Sequence, residues 1–539
     1  MEQNFFEHFG VMIDNSRNAV MNPKAVKRFI DILEKMGYNF LMLYTEDTYE
    51  VNNQPYFGHL RGRYSKEELK ELAAYGDAHN VELIPCIQTL AHLNALMRWP
   101  HYAQLKDCHD ILRVGDDKVY ELIEDMFATL NECFTSRIVH IGMDEAGFIG
   151  LGTYLQQYGI RNRMDILLEH LNRVSKIAEK YDYQLLMWGD MFYKLTGDGN
   201  SEVAEFDTSL KEKIPKNVTL VYWDYYSKDK VHYDERIENY QKLQPVWFAG
   251  GTWTWTGFAP HLTYSRNISE VALQSCKEHG VKSYFTTMWG DDGGECSRFS
   301  VLPELYRLSQ AARGVNDMDE VKSGFYKMFG IEYDDFMLAE LTDTPNMDGD
   351  YFNPDKYMLY NDCFTGSLDS TVNGTEAARY AVCAEKLKKM CTVPTYGILF
   401  ETLYRLCRLL EVKYELGTKT RKLYMEGERE ELLELVPLYD ENIVRLEDFY
   451  KAYEKQWMWE NKPHGFDVMD IRLGGLLKRL LHAKQRIIQY AKGEIERIEE
   501  LEEPVLEVNN WVFSEMYKTT FYNSWVQSAT CNVITQPTY

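Results

Sequence analysis

The sequence predicts an α/β fold: a (β/α)8 TIM barrel followed by a mostly α-helical C-terminal domain. Three observations carry that prediction. Short apolar, β-branched runs alternate with amphipathic helical stretches eight times within roughly the first 310 residues, the count of a closed parallel barrel. Carboxylates, tryptophans and one arginine recur just after those runs, where a barrel gathers its functional side chains. Beyond Asn316 the strand signal disappears and apolar stripes of helical period take over. The boundaries read as 1–316 for the barrel, 317–505 for the helical domain and 506–539 for an extended tail. A doubly wound open sheet is the alternative. It usually has fewer units and a glycine-rich first turn, and the first turn here, Asp14-Asn15-Ser16-Arg17, has no glycine.

The first strand is expected at 8–13, and Asn22-Pro23 then opens a helix as N-cap and first helical residue, closed by Gly37. Strand two spans 39–44, and Ser65-Lys66-Glu67-Glu68 is a capping box that starts the second helix. Strand three spans 82–87, before a long loop with His92 and a helix over 117–133. Strand four, 137–143, ends in two adjacent carboxylates, Asp144 and Glu145. Neighbouring side chains on a strand point to opposite faces, so two adjacent acids converge only where the strand has ended. An ordinary acidic loop is the plain alternative for that stretch alone. Strands five to eight fall at 184–188, 218–223, 245–249 and 282–289, with helices at 164–180, 234–243, 270–278 and 302–313. In the second domain, helices are expected at 379–390, 398–414, 428–457 and 470–500, with a surface loop at 346–355 whose carboxylates lack EF-hand order.

The net charge of -24 argues against nucleic acid or anionic membrane as a partner. No apolar run reaches the roughly 18 residues of a membrane span, and the N-terminus lacks the basic-then-apolar pattern of a signal peptide. Ten scattered cysteines, without a Cys-x-x-Cys or a zinc-type cluster, read as reduced thiols of a cytoplasmic protein. No cofactor or metal is expected. Gly147, Gly150 and Gly152 have the wrong order for a dinucleotide fingerprint, and no GxxxxGK[ST] occurs.

If the barrel is right, the residues after each strand face one pocket. They are Asp14 and Arg17, Glu46 and Asp47, His92, Asp144 and Glu145, Trp188 and Asp190, Trp223, Asp224 and Tyr225, Trp253 and Trp255, and Trp289, Asp291 and Asp292. One arginine, several carboxylates and a run of tryptophans compose a sugar site, because indole faces pack on pyranose C–H bonds while charged groups take the hydroxyls.

Here the chain resembles glycoside hydrolase family 20, the β-N-acetylhexosaminidases. That family's His-x-Gly-x-Asp-Glu signature stands as His140-Ile141-Gly142-Met143-Asp144-Glu145. Arg17 matches the arginine after the family's first strand, and Ile84-Pro85-Cys86-Ile87-Gln88-Thr89-Leu90-Ala91-His92 is similar to its third, with Gln88 where the family has an acid. Trp289-Gly290-Asp291 is similar to the Trp-x-Glu of its eighth strand. The resemblance covers about residues 8 to 315, lacks the strand-seven Tyr-x-Asp, and is to a short bacterial form without the extra N-terminal domain.

The resemblance implies an exo-acting, retaining enzyme in which the substrate's 2-acetamido oxygen attacks C1 to form an oxazolinium, removing terminal β-linked N-acetylglucosamine or N-acetylgalactosamine from an oligosaccharide or glycoconjugate. Glu145 is then the general acid in a partly apolar pocket, Asp144 orients the acetamide, and His92 supports the pair. Arg17 and Asp291 hold the terminal sugar's hydroxyls. Trp188, Trp223, Trp253, Trp255 and Trp289 wall the pocket, with Tyr225 standing in for the acetamide-binding tyrosine. The alternatives are a barrel glycosidase with a protein nucleophile, Asp291 or Asp224, and a non-catalytic sugar-binding protein. The stretch 457–467, with Trp457 and Trp459, is expected either to pack the domains or to reach a barrel mouth, an arrangement compatible with a homodimer.

Overall fold

The computed structural model describes residues 4–196, 205–291, 293–344 and 352–507. Asp292, most of the 346–355 loop and nearly all of the 506–539 tail lie outside the described residues. Eight strands form the barrel: β1 His8–Asp14, β2 Phe40–Tyr44, β3 Glu82–Cys86, β4 Ile138–His140, β5 Gln184–Trp188, β6 Val218–Trp223, β7 Trp247–Gly251 and β8 Ser283–Met288. Each pairs in parallel with the next, and β8 pairs with β1 (Val11 opposite Thr286), which closes the sheet. The helices after the strands are α1 Pro23–Met36, α2 Lys66–Ala78, α3 Asp117–Cys133, α4 Arg163–Glu179, α5 Asp190–Thr196, α6 Lys230–Gln241, α7 Leu262–Glu278 and α8 Leu302–Ala312.

Local chemistry sets these boundaries. Asn22 caps α1 by accepting from the Ala25 N–H, Pro23 starts it, and Gly37 ends it in the left-handed region at φ 79°. The Ser65/Glu68 capping box is reciprocal, each side chain taking the other's backbone N–H. Along β1 and β2, Met12, Phe40 and Met42 point into the barrel, while Val11, Ile13, Leu41 and Leu43 point out beneath the helices. This two-residue alternation fills both sides of the sheet, and each fully buried apolar side chain contributes about 1.5–3 kcal/mol.

Departures from the expected elements have local causes. β4 stops at His140 rather than 143, because Gly142 (φ 70°) and Met143 (φ 71°) turn the chain out of the pleat. α6 begins at Lys230, where Asp229 accepts the Val231 N–H, a cap the apolar spacing did not reveal. α7 runs from Leu262, eight residues before the expected start. β7 is shifted to 247–251 and takes in Gly250 and Gly251.

Among the described residues nothing after β8 pairs as a named strand. Beyond α8, the described helices of more than ten residues are α9 Met318–Phe329, α10 Glu376–Lys388, α11 Gly397–Lys413, α12 Leu416–Glu426, α13 Val436–Glu460 and α14 Phe466–Ala491. The single helix expected over 428–457 is divided into Arg429–Glu434 and α13 at Leu435, with Pro437 in the first turn of α13. α14 ends before the charged run, where Gly493 adopts φ 74°.

The α13–α14 turn fastens this domain to the chain's own barrel. Asn461 bridges Met21, the Lys462 N–H donates to Val20 O, and the Lys462 ammonium reaches Glu68 at 2.6 Å. Glu460, buried, accepts from Ser297 Oγ and from the Arg298 N–H. Trp459 packs on Phe299 and takes the Arg28 guanidinium over its ring at 4.3 Å. The tryptophan stretch therefore packs the two domains together along the β1–α1 connection.

Candidate active site

At the C-terminal mouth of the barrel, the chain leaves β4 through left-handed conformations. Gly142, Met143 and Glu145 have φ of 70°, 71° and 52°, and Glu46 and His92 at neighbouring strand tips have 45° and 56°. Non-glycine residues rarely adopt this region, and clusters of them mark sites where geometry is held by surrounding contacts. A Cβ on Gly142 would stand 2.0 Å from Gln88 Oε1, so only glycine leaves room for the clamp described next.

Gln88 organises the β4 tip. Its Oε1 accepts from the Met143 N–H (3.1 Å), and its Nε2 donates to Asp144 Oδ1 (2.7 Å) and to Tyr44 Oη (2.9 Å). His140, pushed down to about 3 by burial, stays neutral and accepts the Gly142 N–H on Nδ1. The other Asp144 oxygen lies 3.2 Å from His92 Nε2. Burial works against both charges, but the pair wins: Asp144, with His92 and the Gln88 amide beside it, is brought down to about 2, and His92 is pushed up to about 10 by Asp144. At neutral pH the pair is imidazolium and carboxylate.

Glu145 points elsewhere. Its side chain is 53% exposed, 3.6 Å from His92 Nε2 and 3.8 Å from Lys194 Nζ. Its N–H donates to Asp190 Oδ2 (3.1 Å), the first residue of α5, and Lys194 pairs with the same oxygen at 3.0 Å one turn later. Burial opposes the Lys194 charge, but Asp190 and Glu145 hold the ammonium above its ordinary value. In place of the partly apolar pocket expected around Glu145 stand two cationic neighbours, His92 from the loop after β3 and Lys194 from α5.

A second group lies across the mouth. Arg17 Nε and Nη2 donate to Glu46 Oε1 (3.3 and 3.2 Å), and Nη1 is 3.7 Å from Asp291. Tyr44 donates to the same Glu46 oxygen at 3.0 Å. A continuous polar chain therefore runs from Asp144 through Gln88, Tyr44 and Glu46 to Arg17 and Asp291. Other acids of the expected ring are occupied elsewhere. Asp47 pairs with Arg61, and Asp14 accepts the Gly290 N–H and ties the first and last loops together. Asp224 accepts from Tyr222 Oη and the Tyr226 N–H and sits 2.7 Å from His232 Nε2.

The tryptophans divide. Trp188 lies on the barrel interior with its ring centroid 6.2 Å from that of Trp289, which meets Tyr44 edge-on at 4.7 Å. Trp223 stacks on Tyr225 at 5.1 Å, and Tyr225 meets Trp255 at 5.7 Å. Gly251 makes that contact feasible: a Cβ there would stand 2.8 Å from the Tyr225 ring. The Tyr225 hydroxyl, held protonated by burial, lies by the Trp289 and Thr287 side chains within the field of Asp144 and Asp291. Trp253 differs from expectation. It is fully buried, stacked 4.3 Å behind Trp255, with its indole N–H donated to Tyr225 O, so it backs the wall and does not face the pocket.

The sequence placed Glu46 and Asp190 on the ring of strand-end residues without giving them a role, and it did not single out Tyr44 or Lys194. Lys194 had a signal, its i,i+4 spacing from Asp190 on a helix that begins at a strand tip. Tyr44 had none beyond being the last residue of β2. Among the described residues no group of three or more His, Cys, Asp or Glu is arranged to hold a metal, and no helix is long and apolar enough to cross a membrane.

Two family descriptions match the chain: the glycosyl hydrolase family 20 catalytic domain over residues 6–237, and the glycoside hydrolase 20C C-terminal domain over 334–517. Hexosaminidase D of Bos taurus is 26% identical over 255 residues, covering 44% of this chain and 68% of that protein. A probable beta-hexosaminidase of Arthroderma benhamiae is 22% identical, covering 40% of this chain and 38% of that protein. The crystal structure of a GH20 exo beta-N-acetylglucosaminidase from Vibrio harveyi superposes with a TM-score of 0.47 at 15% identity, over 63% of this chain and 59% of that one. The match thus spans from somewhat over a third to about two thirds of these relatives.

Proposed function

The chain belongs to glycoside hydrolase family 20, and from that premise we propose that it is an exo-acting, retaining β-N-acetylhexosaminidase whose substrate supplies the nucleophile. The observation that carries this reading is the divergence of two adjacent acids. Asp144 is buried and anionic, held by His92 and Gln88, whereas Glu145 projects into the mouth. A double displacement by protein groups needs two carboxyls about 5–5.5 Å apart across the scissile bond. Adjacent residues with opposed environments suit a division of labour instead.

In this mechanism the 2-acetamido oxygen of the terminal sugar attacks C1 from below, and the C1–O bond to the leaving group breaks. Glu145 gives its proton to the departing oxygen. Asp144 accepts a hydrogen bond from the acetamide N–H, turns the carbonyl toward C1 and stabilises the positive charge of the oxazolinium, where a fixed carboxylate acts without reorganisation. Glu145 then removes a proton from the water that opens the oxazolinium, so the anomeric configuration is kept. Tyr225 is the hydroxyl suited to the acetamide, between Trp223 and Trp255. Arg17 with Asp291 takes the sugar's ring hydroxyls and ends the subsite, which makes the action exo. The terminal sugar is N-acetylglucosamine or N-acetylgalactosamine. A cytoplasmic location and a bacterial source belong to the same proposal, and the nine described cysteines, all free, suit a reducing compartment.

The test is a panel of nitrophenyl β-glycosides with and without the 2-acetamido group, run with a thiazoline analogue of the sugar. Release confined to 2-acetamido substrates, with inhibition by the thiazoline, supports the reading. Equal turnover of plain glucosides, without thiazoline inhibition, would replace it with a protein nucleophile. In Asp144→Asn and Glu145→Gln turnover should collapse by more than a hundredfold, as expected when a charge or proton donor used only in the transition state is lost (roughly 3 kcal/mol or more).

A further inference from the structure

We propose that Phe148, backed by His109, is the platform for the leaving group's first sugar ring, so that the preferred substrates are oligosaccharides with a pyranose on the reducing side of the cleaved bond. The proposal rests on the hydrolase reading above and deepens it. Phe148 is 57% exposed, which is unusual for a phenylalanine, and its ring lies 5.1 Å from the exposed His109 ring.

Two independent tethers fix this pair beside the chemistry. Phe148 follows Glu145 by three residues, and the intervening turn is closed by the Gly147 N–H on Glu145 O (2.7 Å) and the Ile149 N–H on Ala146 O (3.0 Å). His109 precedes Asp110, whose carboxylate accepts the His92 N–H at 2.9 Å. The ring pair is therefore attached to the general acid on one side and to its histidine neighbour on the other.

The two loops are also fastened together, so the platform exists before substrate arrives. Asp107 accepts the Gly150 N–H (2.9 Å) and the Tyr154 N–H (2.7 Å), and the Cys108 thiol donates to Phe148 O at 3.3 Å. Arg163 donates to Gly147 O.

The general acid must touch the glycosidic oxygen, so whatever hangs from that oxygen comes to rest within a few ångströms of Glu145. An exposed aromatic face there suits the C–H face of a pyranose. Beside Glu145, Lys194 and Asp190 can take the hydroxyls of such a ring, and Arg163 is held at Gly147 O in the turn that carries Phe148. Leu151, 44% exposed, follows in the same loop, so the octyl glycoside in the test below separates a sugar from an alkyl leaving group.

The experiment compares kcat/KM for three glycosides of N-acetylglucosamine, the β-linked disaccharide, the methyl glycoside and the octyl glycoside, in the wild-type protein, Phe148→Ala and Phe148→Tyr. The ratio of disaccharide to methyl glycoside should fall about three- to tenfold in Phe148→Ala, the size of an aromatic stacking contribution, and recover in Phe148→Tyr. A ratio that does not move overturns the platform, as does a drop equal on both substrates, which would make Phe148 a mere support of the Glu145 turn. A larger loss on the octyl glycoside than on the disaccharide assigns the ring to an apolar leaving group and overturns the sugar. If the wild-type protein cleaves neither these three nor their N-acetylgalactosamine counterparts, the hydrolase reading fails and the platform falls with it.

Discussion

Gln88→Glu should convert a pH-independent clamp into a titrating one. The Gln88 amide donates to Asp144 Oδ1 at 2.7 Å, and a carboxylate in its place would put two negative charges at that separation. At an effective dielectric of about 20, their repulsion is about 6 kcal/mol. Placing a proton on an ordinary glutamate at pH 7 costs about 4 kcal/mol, less than the repulsion, so the new pair holds one proton at neutrality. The protonated carboxyl can then donate to Asp144 as the amide does. As pH rises the proton is lost, with a midpoint raised to roughly 7–9 once the opposing pull of the His92 imidazolium is included. Activity of Gln88→Glu should therefore approach that of the wild type at pH 5 and fall steeply between about pH 7 and 9. Gln88→Leu, which has no donor at any pH, should lose about 10- to 100-fold throughout, the loss expected for a hydrogen bond to a buried charge. The measurement is kcat/KM for a 2-acetamido substrate from pH 4 to 9 in all three proteins. A Gln88→Glu profile that superimposes on the wild type after scaling would show that the amide does not set the charge of Asp144.

The His92–Asp144 pair should also be visible in stability. His92, raised from 6.5 to about 10, contributes fully below its unfolded value and loses that contribution as pH climbs toward 10, while Asp144, lowered from 3.8 to about 2, contributes fully above its unfolded value and loses it as pH falls toward 2. Thermal melts should show the pair's full effect between about pH 4 and 6.5, and His92→Ala should flatten the alkaline decline; parallel curves in the two proteins would contradict the ion pair. Asp190→Ala removes the acceptor of the Glu145 N–H, so kcat should drop about tenfold with KM nearly constant in steady-state assays, and a pure KM effect would mean that the contact does not position the acid. Asp343 and Asp355 are buried together at the edge of the helical domain, and burial with the Asp355 charge pushes the Asp343 carboxyl well above its usual range. A group raised in the folded state contributes most at pH below its unfolded value and loses that as pH rises, so Asp343→Asn should lose less melting temperature between pH 5 and 8 than the wild type; an equal loss would remove this pair as the cause.

The sequence made the barrel legible because its signals are local. Strand and helix periods, the Asn22-Pro23 start and the Ser65/Glu68 box each need only a few consecutive residues. The expected and observed bounds of α3, β5 and β6 coincide for that reason. Where the bounds slipped, the cause was a contact from elsewhere or a backbone choice invisible to hydropathy, as with the left-handed exit from β4 and the Asp229 cap of α6.

The residues after each strand were also readable, since a parallel barrel sends all of its strand ends to one face. The sequence could therefore place Asp144, Glu145, His92, Arg17, Asp291 and the tryptophans around one mouth. It could not say which group each would touch. Gln88 looked like a missing acid; in the fold it is the donor that holds Asp144, through a contact between residues 56 positions apart. Trp253 looked like a wall facing the sugar and stands behind Trp255. Such outcomes turn on the register of neighbouring strands and on competition among nearby partners for each hydrogen bond. Residue order alone determined the barrel and the pair of acids at its fourth strand. Only the packed structure decided that Asp144 is sealed and charged while Glu145 stands half-exposed at the mouth between His92 and Lys194, because burial and partner distance, which set those states, exist only after the chain has closed.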